Sequence, residues 1–465
     1  MEQAKPVRWI LMLPMALGAF CAALDNNILS VCLPSIIKDF HSDPGIGQFV
    51  SSSYTFAICG LLLTFGYFSS VFGRKRVFAI GTLTFATSSL LSFFASNIYV
   101  LIALRVLQGI GAAMFMANGM ALVNTHFSHE VRGRAFGLLA TAGAIASILG
   151  PIVGGFIASR WGWRWDFLLL VALGLIAAVT AIKLLSPEVV GNWRDKLAEF
   201  DYTGATLSVL AVLLLVGSLF ALRFHLWLVF AALLAGTGLA SFVFIRQQLN
   251  SVNPILHADV LKNRIFLNGN IMALVVFAIM MGISTTLPLY LASRNISANT
   301  SGFLLSFQAV PIFAISFGAG LLADRYSARA VALTGAVVIL AGVAFMTLAF
   351  HINVIYIAAV GNAVLGVGIG FFNPSNQKIV MSSVDNRHAS VAASTNVLFR
   401  NLGVATGTAL AGIIFGVFEG LGDSSPISPG AGTLLFFIAL AVLLVLLGGI
   451  RGFRSSTNTA HGRCP

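Results

Sequence analysis

The sequence predicts an all-α polytopic membrane protein: two six-helix bundles plus two extra transmembrane helices between them. Three observations carry this. The chain has too few charges to build a water-facing surface, it contains fourteen apolar stretches of spanning length, and a weak repeat relates its two ends.

The charge deficit decides the solvent. Of 465 residues, 58% are hydrophobic and 9% charged, with a mean hydropathy of +0.94. A soluble domain is about one quarter charged, so this chain cannot cover itself in polar groups. A net charge of +12 would point to nucleic acid in a soluble protein. Here it reads as cationic loops at a membrane, and no nucleic-acid partner is expected.

The apolar stretches fall at 9–35, 47–69, 77–96, 98–123, 134–158, 166–186, 203–222, 226–246, 266–291, 301–323, 330–350, 353–377, 389–416 and 431–450. About twenty residues suffice to cross a bilayer. With the N-terminus inside, twenty of the 27 Lys and Arg fall on cytoplasmic segments and five outside, Lys38, Arg160, Arg164, Arg223 and Arg294. That asymmetry predicts an even number of spans with both termini cytoplasmic. The first apolar run is too long for a cleavable leader and reads as a signal anchor. Compact loops suggest a bacterial inner membrane. The cysteines Cys21, Cys32, Cys59 and Cys464 lack metal spacing, and no structural disulfide is expected.

The repeat shows in two places. "GYFSSVFGRKR" from Gly66 is echoed by "GLLADRYSAR" from Gly320, and "LQGIGAAMF" from Leu107 by "LGVGIGFFN" from Leu365. The offsets are 254 and about 258 positions, which suggests a six-span unit used twice. The domains expected are residues 1–186, a linker with two helices over 187–265, and 266–465 ending in a short cytoplasmic tail. Repeated halves with a site at the midplane between them are a transporter design.

These stretches resemble the major facilitator superfamily and, within it, the fourteen-helix drug:proton antiporters of multidrug efflux type. "LDNNILSVCLP" is similar to their first-helix motif, "GYFSSVFGRKR" to the loop between helices 2 and 3, and "LRVLQGIGAA" to the fourth-helix motif. "GAIASILGPIVGG" resembles the fifth-helix antiporter motif, and "WGWRWDF" enters helix 6. The resemblance implies export by alternating access, driven by the proton gradient without a cofactor. The sequence departs from the loop motif at Ser70 and Val71, where the family has an acid and commonly a cation. The second copy keeps both, as Asp324 and Arg325.

Fourteen of the fifteen acids lie in tails, loops or span ends, and Asp25 alone lies deep in a span. A carboxylate at a helix centre costs about 2.5–3.5 kcal/mol on insertion scales and must face a cavity or a partner. Asp25 is therefore the candidate proton carrier, against a structural acid bonded to Asn26 or Asn27. Arg105 is the other charge within the first six spans and the natural partner, with snorkelling to the interface as the alternative. The resemblance implies that Arg105 assists proton transfer. Gln108, one turn on, is placed to share the network. Arg400 has no acid at its depth in its own half. Helix-end carbonyls, the interface and an anionic substrate group are its three possible partners.

Gly143, Gly150, Gly154 and Ala158 form a small-residue stripe beside Gly155, and Pro151 weakens the local ladder. Gly73 and Arg74 open the candidate cytoplasmic latch, which competes with a plain topology signal. The candidate cavity residues are Asn26, Gln108, Met114, Asn118, Met281, Phe307, Gln308, Phe372, Asn373, Asn376 and Arg400. They combine adaptable apolar surface with sparse amides. His126, His129 and Glu130 have helical spacing without a fourth ligand nearby, so no metal site is expected.

One deep carboxylate limits the driving force. Exchanging one proton for a neutral solute moves one charge, worth about 2.3 kcal/mol per 100 mV. A monocation leaves only the pH term, about 1.4 kcal/mol per unit. The expected substrates are neutral or monocationic amphipaths, handled by a monomer embedded in lipid. Two other readings compete: an exporter or flippase of one endogenous lipid-like or siderophore-like compound, and a polytopic membrane enzyme. The lack of His, Asp and Cys clusters at depth counts against an enzyme.

Overall fold

The computed structural model describes residues 9–127, 129–186, 200–224, 226–251, 262–352, 354–384, 389–420 and 428–456. Among them, regular structure is helical throughout, with fourteen long helices after a short 3-10 turn, Trp9–Leu11. They are α1 (Met12–Asp39), α2 (Pro44–Phe72), α3 (Arg74–Phe93), α4 (Ile98–His126), α5 (His129–Arg160), α6 (Arg164–Leu184) and α7 (Tyr202–Arg223). Then follow α8 (Trp227–Asn250), α9 (Arg264–Ser293), α10 (Ala298–Arg325), α11 (Ala328–Ile352), α12 (Ile355–Ser382), α13 (Ala389–Gly420) and α14 (Pro429–Ser456). Over the described residues, thirteen are long and apolar enough to cross a membrane. α10 is also of spanning length, at 28 residues, with Asn299, Thr300, Ser301, Ser306 and Gln308 in its first half.

Local chemistry sets the helix starts. Asp43 caps α2 through Gly45 N at 2.7 Å, with Pro44 in the first turn, where its missing N–H costs nothing. Asn97 caps α4, Asp201 caps α7 and Asn263 caps α9 in the same way. Gly73 separates α2 from α3 at φ +95°, a conformation that favours glycine.

Two groups of helices pack internally. In the first, α1 lies on α5 and α6, α2 on α4, and α3 on α4 and α6. In the second, α9 lies on α13 and α14, α10 on α12, and α11 on α12 and α14. Each group has its own large buried apolar cluster. α7 and α8 form a hairpin on the flank, α7 touching α2 and α13. Gln247 and Gln248 at the end of α8 donate to Asp201 at the start of α7, at 2.7 and 2.5 Å.

The repeat is visible as matched contacts. A Cβ on Gly81 of α3 would meet Gly111 O and Phe115 N of α4, and one on Gly335 of α11 would meet Gly368 O and Phe372 N of α12. Gly81 and Gly335 are 254 positions apart, Phe115 and Phe372 are 257 apart. The register of the second motif is thus one residue shorter than the text similarity suggests. Phe372 has the same place as Phe115, fully buried in its half's core.

The two groups meet through α2 with α13, α5 with α10, and α1 with α9. The first two contacts are also repeat mates. Gln48 of α2 seats on Gly412 of α13, and Gly302 of α10 seats on Pro151 O beside Gly155 of α5. Both lie toward the face that carries the α1–α2 and α9–α10 connections.

Candidate functional site

Asp25 stands at the midpoint of α1 and is 1% exposed, so in an apolar surrounding it needs a partner. Arg105 of α4, fully buried, supplies one with parallel bonds: Nη1 to Oδ1 at 2.8 Å and Nη2 to Oδ2 at 2.8 Å. This fork-to-fork geometry uses both carboxylate oxygens. The remaining donors are also engaged. Nε donates to Val50 O of α2 at 2.9 Å, and Nη1 also reaches Gln108 Oε1 at 2.5 Å. The ring of Tyr54 lies 4.4 Å from the guanidinium carbon.

Gln108 extends the network. Its Nε2 lies 3.3 Å from Asp25 Oδ1 and donates to Ser89 Oγ of α3 at 2.8 Å; that hydroxyl donates to Phe85 O. Four helices therefore hold one ion pair. Asp25, Arg105 and Gln108 come together as the spacing suggests. Tyr54, Ser89 and the Val50 carbonyl were not foreseen, because a ring, a hydroxyl and a backbone oxygen carry no distinctive spacing.

The second group repeats the scaffold without the charge. Asn362 of α12 donates to Leu304 O of α10 at 2.9 Å, as Arg105 does to Val50 O. The donors are 257 positions apart and the acceptors 254. An amide stands where the first half has a guanidinium, and α9 contains no acid.

One acid at a span end is nonetheless buried. Asp166, in the first turn of α6, is 3% exposed despite its place at a span end. Its Oδ2 lies 2.8 Å from the thiol of Cys32 in α1, and among the described residues Oδ1 has no hydrogen-bond partner. Its place at a span end is the one the sequence predicts; the burial follows from its face, because the first turn of a helix exposes some faces and buries others. Near it at the surface, Arg164 pairs with Asp39 at 2.5 Å, with Trp163 Nε1 also donating to Asp39.

The other candidates scatter. Asn26 is half-buried and accepts from Thr55 Oγ1 of α2 at 3.4 Å. Met114 lies against Gly81 of α3. Asn118 is buried, bonds its own helix at Met114 O and leaves Oδ1 without a partner. Gln308 accepts from Ser284 of α9 at 3.0 Å with its Nε2 unpartnered. Asn376 ties α12 to Gly269 O of α9 at 2.9 Å, while Asn373 is half-buried on the same helix. Phe307 is exposed beside Phe303, and Phe372 sits in core packing rather than on a cavity wall. Met281 packs with Phe277 and Val404, and the Arg400 guanidinium carbon lies 4.4 Å from the Phe277 ring.

The glycine stripe divides between two neighbours. Gly150 and Gly154 of α5 pack on Asn27 and Ile28 of α1, directly after Asp25. Pro151 and Gly155, on the adjoining face, meet Gly302 of α10. Gly143 has open space around it. In the loop motif, Arg74 Nη1 donates to Thr125 Oγ1 at the end of α4, and Lys75 Nζ donates to Leu185 O after α6 at 2.5 Å. Cations at helix C-termini are favourable. Arg325 is exposed; the side chains of Ser70, Asp324, His129 and Glu130 lie outside the described ones. Among the described residues, no group of His, Cys, Asp and Glu could hold a metal ion.

The family model of the Major Facilitator Superfamily matches residues 15–257 and 269–461. The chain belongs to this superfamily. It is similar to the riboflavin transporter RibZ of Clostridioides difficile, 27% identical over 86% of this chain and 87% of that protein. It is also similar to the multidrug transporter protein MdtP of Bacillus subtilis, 25% identical over 90% of this chain and 77% of that protein. Among solved structures it is similar to a bacterial homolog of the human lysosomal transporter Spinster, inward-facing and unoccupied, with TM-score 0.68 and 14% identity over 99% and 100% of the two chains. The superfamily chain described here is accordingly a membrane transporter and not an enzyme.

Proposed function

We propose that this transporter is a proton-coupled antiporter that exports amphipathic neutral or monocationic compounds by alternating access. The observation that carries this is the Asp25–Arg105 pair, buried at mid-helix and held by α1, α2, α3 and α4. A protonated Asp25 no longer pairs with Arg105 as a carboxylate. The cation then turns to Gln108, the Val50 carbonyl and the Tyr54 face, which lowers the cost of separating α1 from α4. Breaking a buried pair outright costs about 3–5 kcal/mol. A neutralising proton removes that barrier when the proton gradient supplies it.

The contact pattern supports a route from proton to gate. Asp25 is followed by Asn27 and Ile28, on which Gly150 and Gly154 of α5 sit, while Pro151 and Gly155 of the same helix sit on Gly302 of the other half. A shift of α1 is thus felt two contacts away at the junction of the halves. We assign the face carrying the α1–α2 connection to the outside, on the loop charge asymmetry, which makes the closed face the outer one and the state inward-facing. The boundaries 1–186, 187–265 and 266–465 remain the proposed division of the chain.

The test uses everted vesicles. After energisation, a lipophilic dye cation is added and proton release followed for wild type and Asp25→Asn. Exchange by wild type, absent in a mutant that still binds dye, supports Asp25 as the carrier. Normal exchange by the mutant removes the coupling model. The resemblance to a riboflavin transporter favours a second reading, export of one compound. A solute-protection panel separates the two: several unrelated protected compounds support the first, and a single one supports the second.

A further inference from the structure

We propose that Arg400, with the apolar wall formed by Phe277, Met281 and Val404, is a subsite for a monoanionic substituent of the substrate. The preferred compounds are then amphipaths bearing a carboxylate or similar acid whose charge is balanced elsewhere in the molecule. This rests on the exporter reading, because it needs a site that substrates reach.

Arg400 lies along α13 between two contacts with α9: Asn396 Nδ2 donates to Asn270 Oδ1 at 2.9 Å, and Gly403 abuts Leu274 O. The Arg400 side chain is half-buried, and a guanidinium keeps its charge under all ordinary conditions. Yet among the described residues Arg400 has no hydrogen-bond or ion-pair partner, and its recorded contact is the Phe277 ring at 4.4 Å. Arg105, by contrast, is fully buried and is bonded to a carboxylate, a carbonyl and an amide. Among the described residues, no acid pairs with Arg400 instead. α9 has none, the acid of α13 is Glu419, about 28 Å along the helix, and both oxygens of Asp25 face Arg105.

The geometry says what fits. A guanidinium lying against a ring face keeps its in-plane N–H edges for a planar acceptor, and a carboxylate matches that fork. Phe277, Met281 and Val404 are each 7–9% exposed, with Met280 packed against them. Such a wall takes the apolar body of a ligand and adapts to its outline. One guanidinium balances one negative charge, so dianions are not favoured. A zwitterion places its acid here and remains net neutral, within the charge range that a single proton can drive.

The test is equilibrium binding to the purified full chain in detergent, without any gradient, using rhodamine B, which carries a free carboxylate, and its ethyl ester. The wild type is expected to bind the acid at least about 10-fold more tightly than the ester, about 1.4 kcal/mol. Arg400→Gln is expected to erase that preference, and Arg400→Lys to keep part of it. Millimolar benzoate is expected to displace rhodamine B from the wild type and to leave the ester bound, a readout that needs no mutant. Equal binding of the two dyes by wild type, a preference that survives in Arg400→Gln, or benzoate that displaces neither dye overturns the proposal. Nanodiscs separate a lipid headgroup from a substrate: a preference present in phosphatidylcholine and lost with phosphatidylglycerol assigns the cation to lipid and overturns it. Loss of proton exchange in wild-type vesicles with the dye preference intact overturns the antiporter reading alone.

Discussion

Arg105 spends its donors on Asp25, Val50 and Gln108 and its face on Tyr54, so removing either charge of the pair has unequal consequences. Arg105→Gln leaves a buried carboxylate with amide partners alone, and we expect a loss of about 3–5 kcal/mol, read as a lower thermal midpoint in detergent. Asp25→Asn keeps the shape without the charge. The double mutant Asp25→Asn with Arg105→Gln should recover part of the loss, because no uncompensated charge remains. Strict additivity in that cycle would show that the pair contributes nothing beyond its separate residues. Asp166 presents a sharper question, since it is a second buried acid with one unpartnered oxygen. If Asp25 is the sole carrier, Asp166→Asn leaves the ratio of protons released to dye moved unchanged. A halved ratio in the vesicle assay would instead make Asp166 a second carrier.

At the scale of elements, α5 is the connection between the ion pair and the opposite half. Its two glycines against α1 leave no room for a side chain: a Cβ at Gly150 would sit 2.6 Å from that of Asn27. Gly150→Leu is therefore expected to push α5 from α1 and abolish exchange, whereas Gly143→Leu, where nothing lies within 4 Å, should be tolerated. Equal loss in both would remove the packing explanation. The contact of Gln48 with Gly412 offers a direct probe of the junction. A chain with Gln48→Cys and Gly412→Cys should cross-link under mild oxidation, stop transport, and recover with reductant. Transport that continues with the link complete would mean that this face does not open during the cycle.

For the whole molecule, the loop charges and Cys464 make topology measurable. Cys21, Cys32 and Cys59 are buried, so an impermeant maleimide has Cys464 as its target. Labelling is expected in everted vesicles and not in intact cells; the reverse would place the C-terminus outside and invert the closed face. The hairpin of α7 and α8 lies at the flank, and α8 buries the smallest share of its length of any candidate span. Large apolar substitutions on α8, such as Leu239→Phe at a 64% exposed position, should leave exchange within about twofold of wild type.

The helices were legible because apolar runs of spanning length have one solution in a bilayer; their capping residues, Asp43, Asn97, Asp201, Asn263 and Ser297, became evident only in the structure. The ion pair was legible for a related reason: two charges in long neutral stretches have few stable partners. The cavity was not. Met, Phe and Asn serve core, lipid and cavity alike, and only packing separated Phe372, inside a helix interface, from Met281, packed with Phe277 and Val404. The burial of Asp166 also needed α1 to be present, since Cys32 comes from 134 positions away. Charge and hydropathy are properties of the chain and survive in one dimension. Which face of a helix meets a neighbour depends on rotation and register, and these are set by contacts such as Gly150 on Asn27 that exist only once the helices have packed.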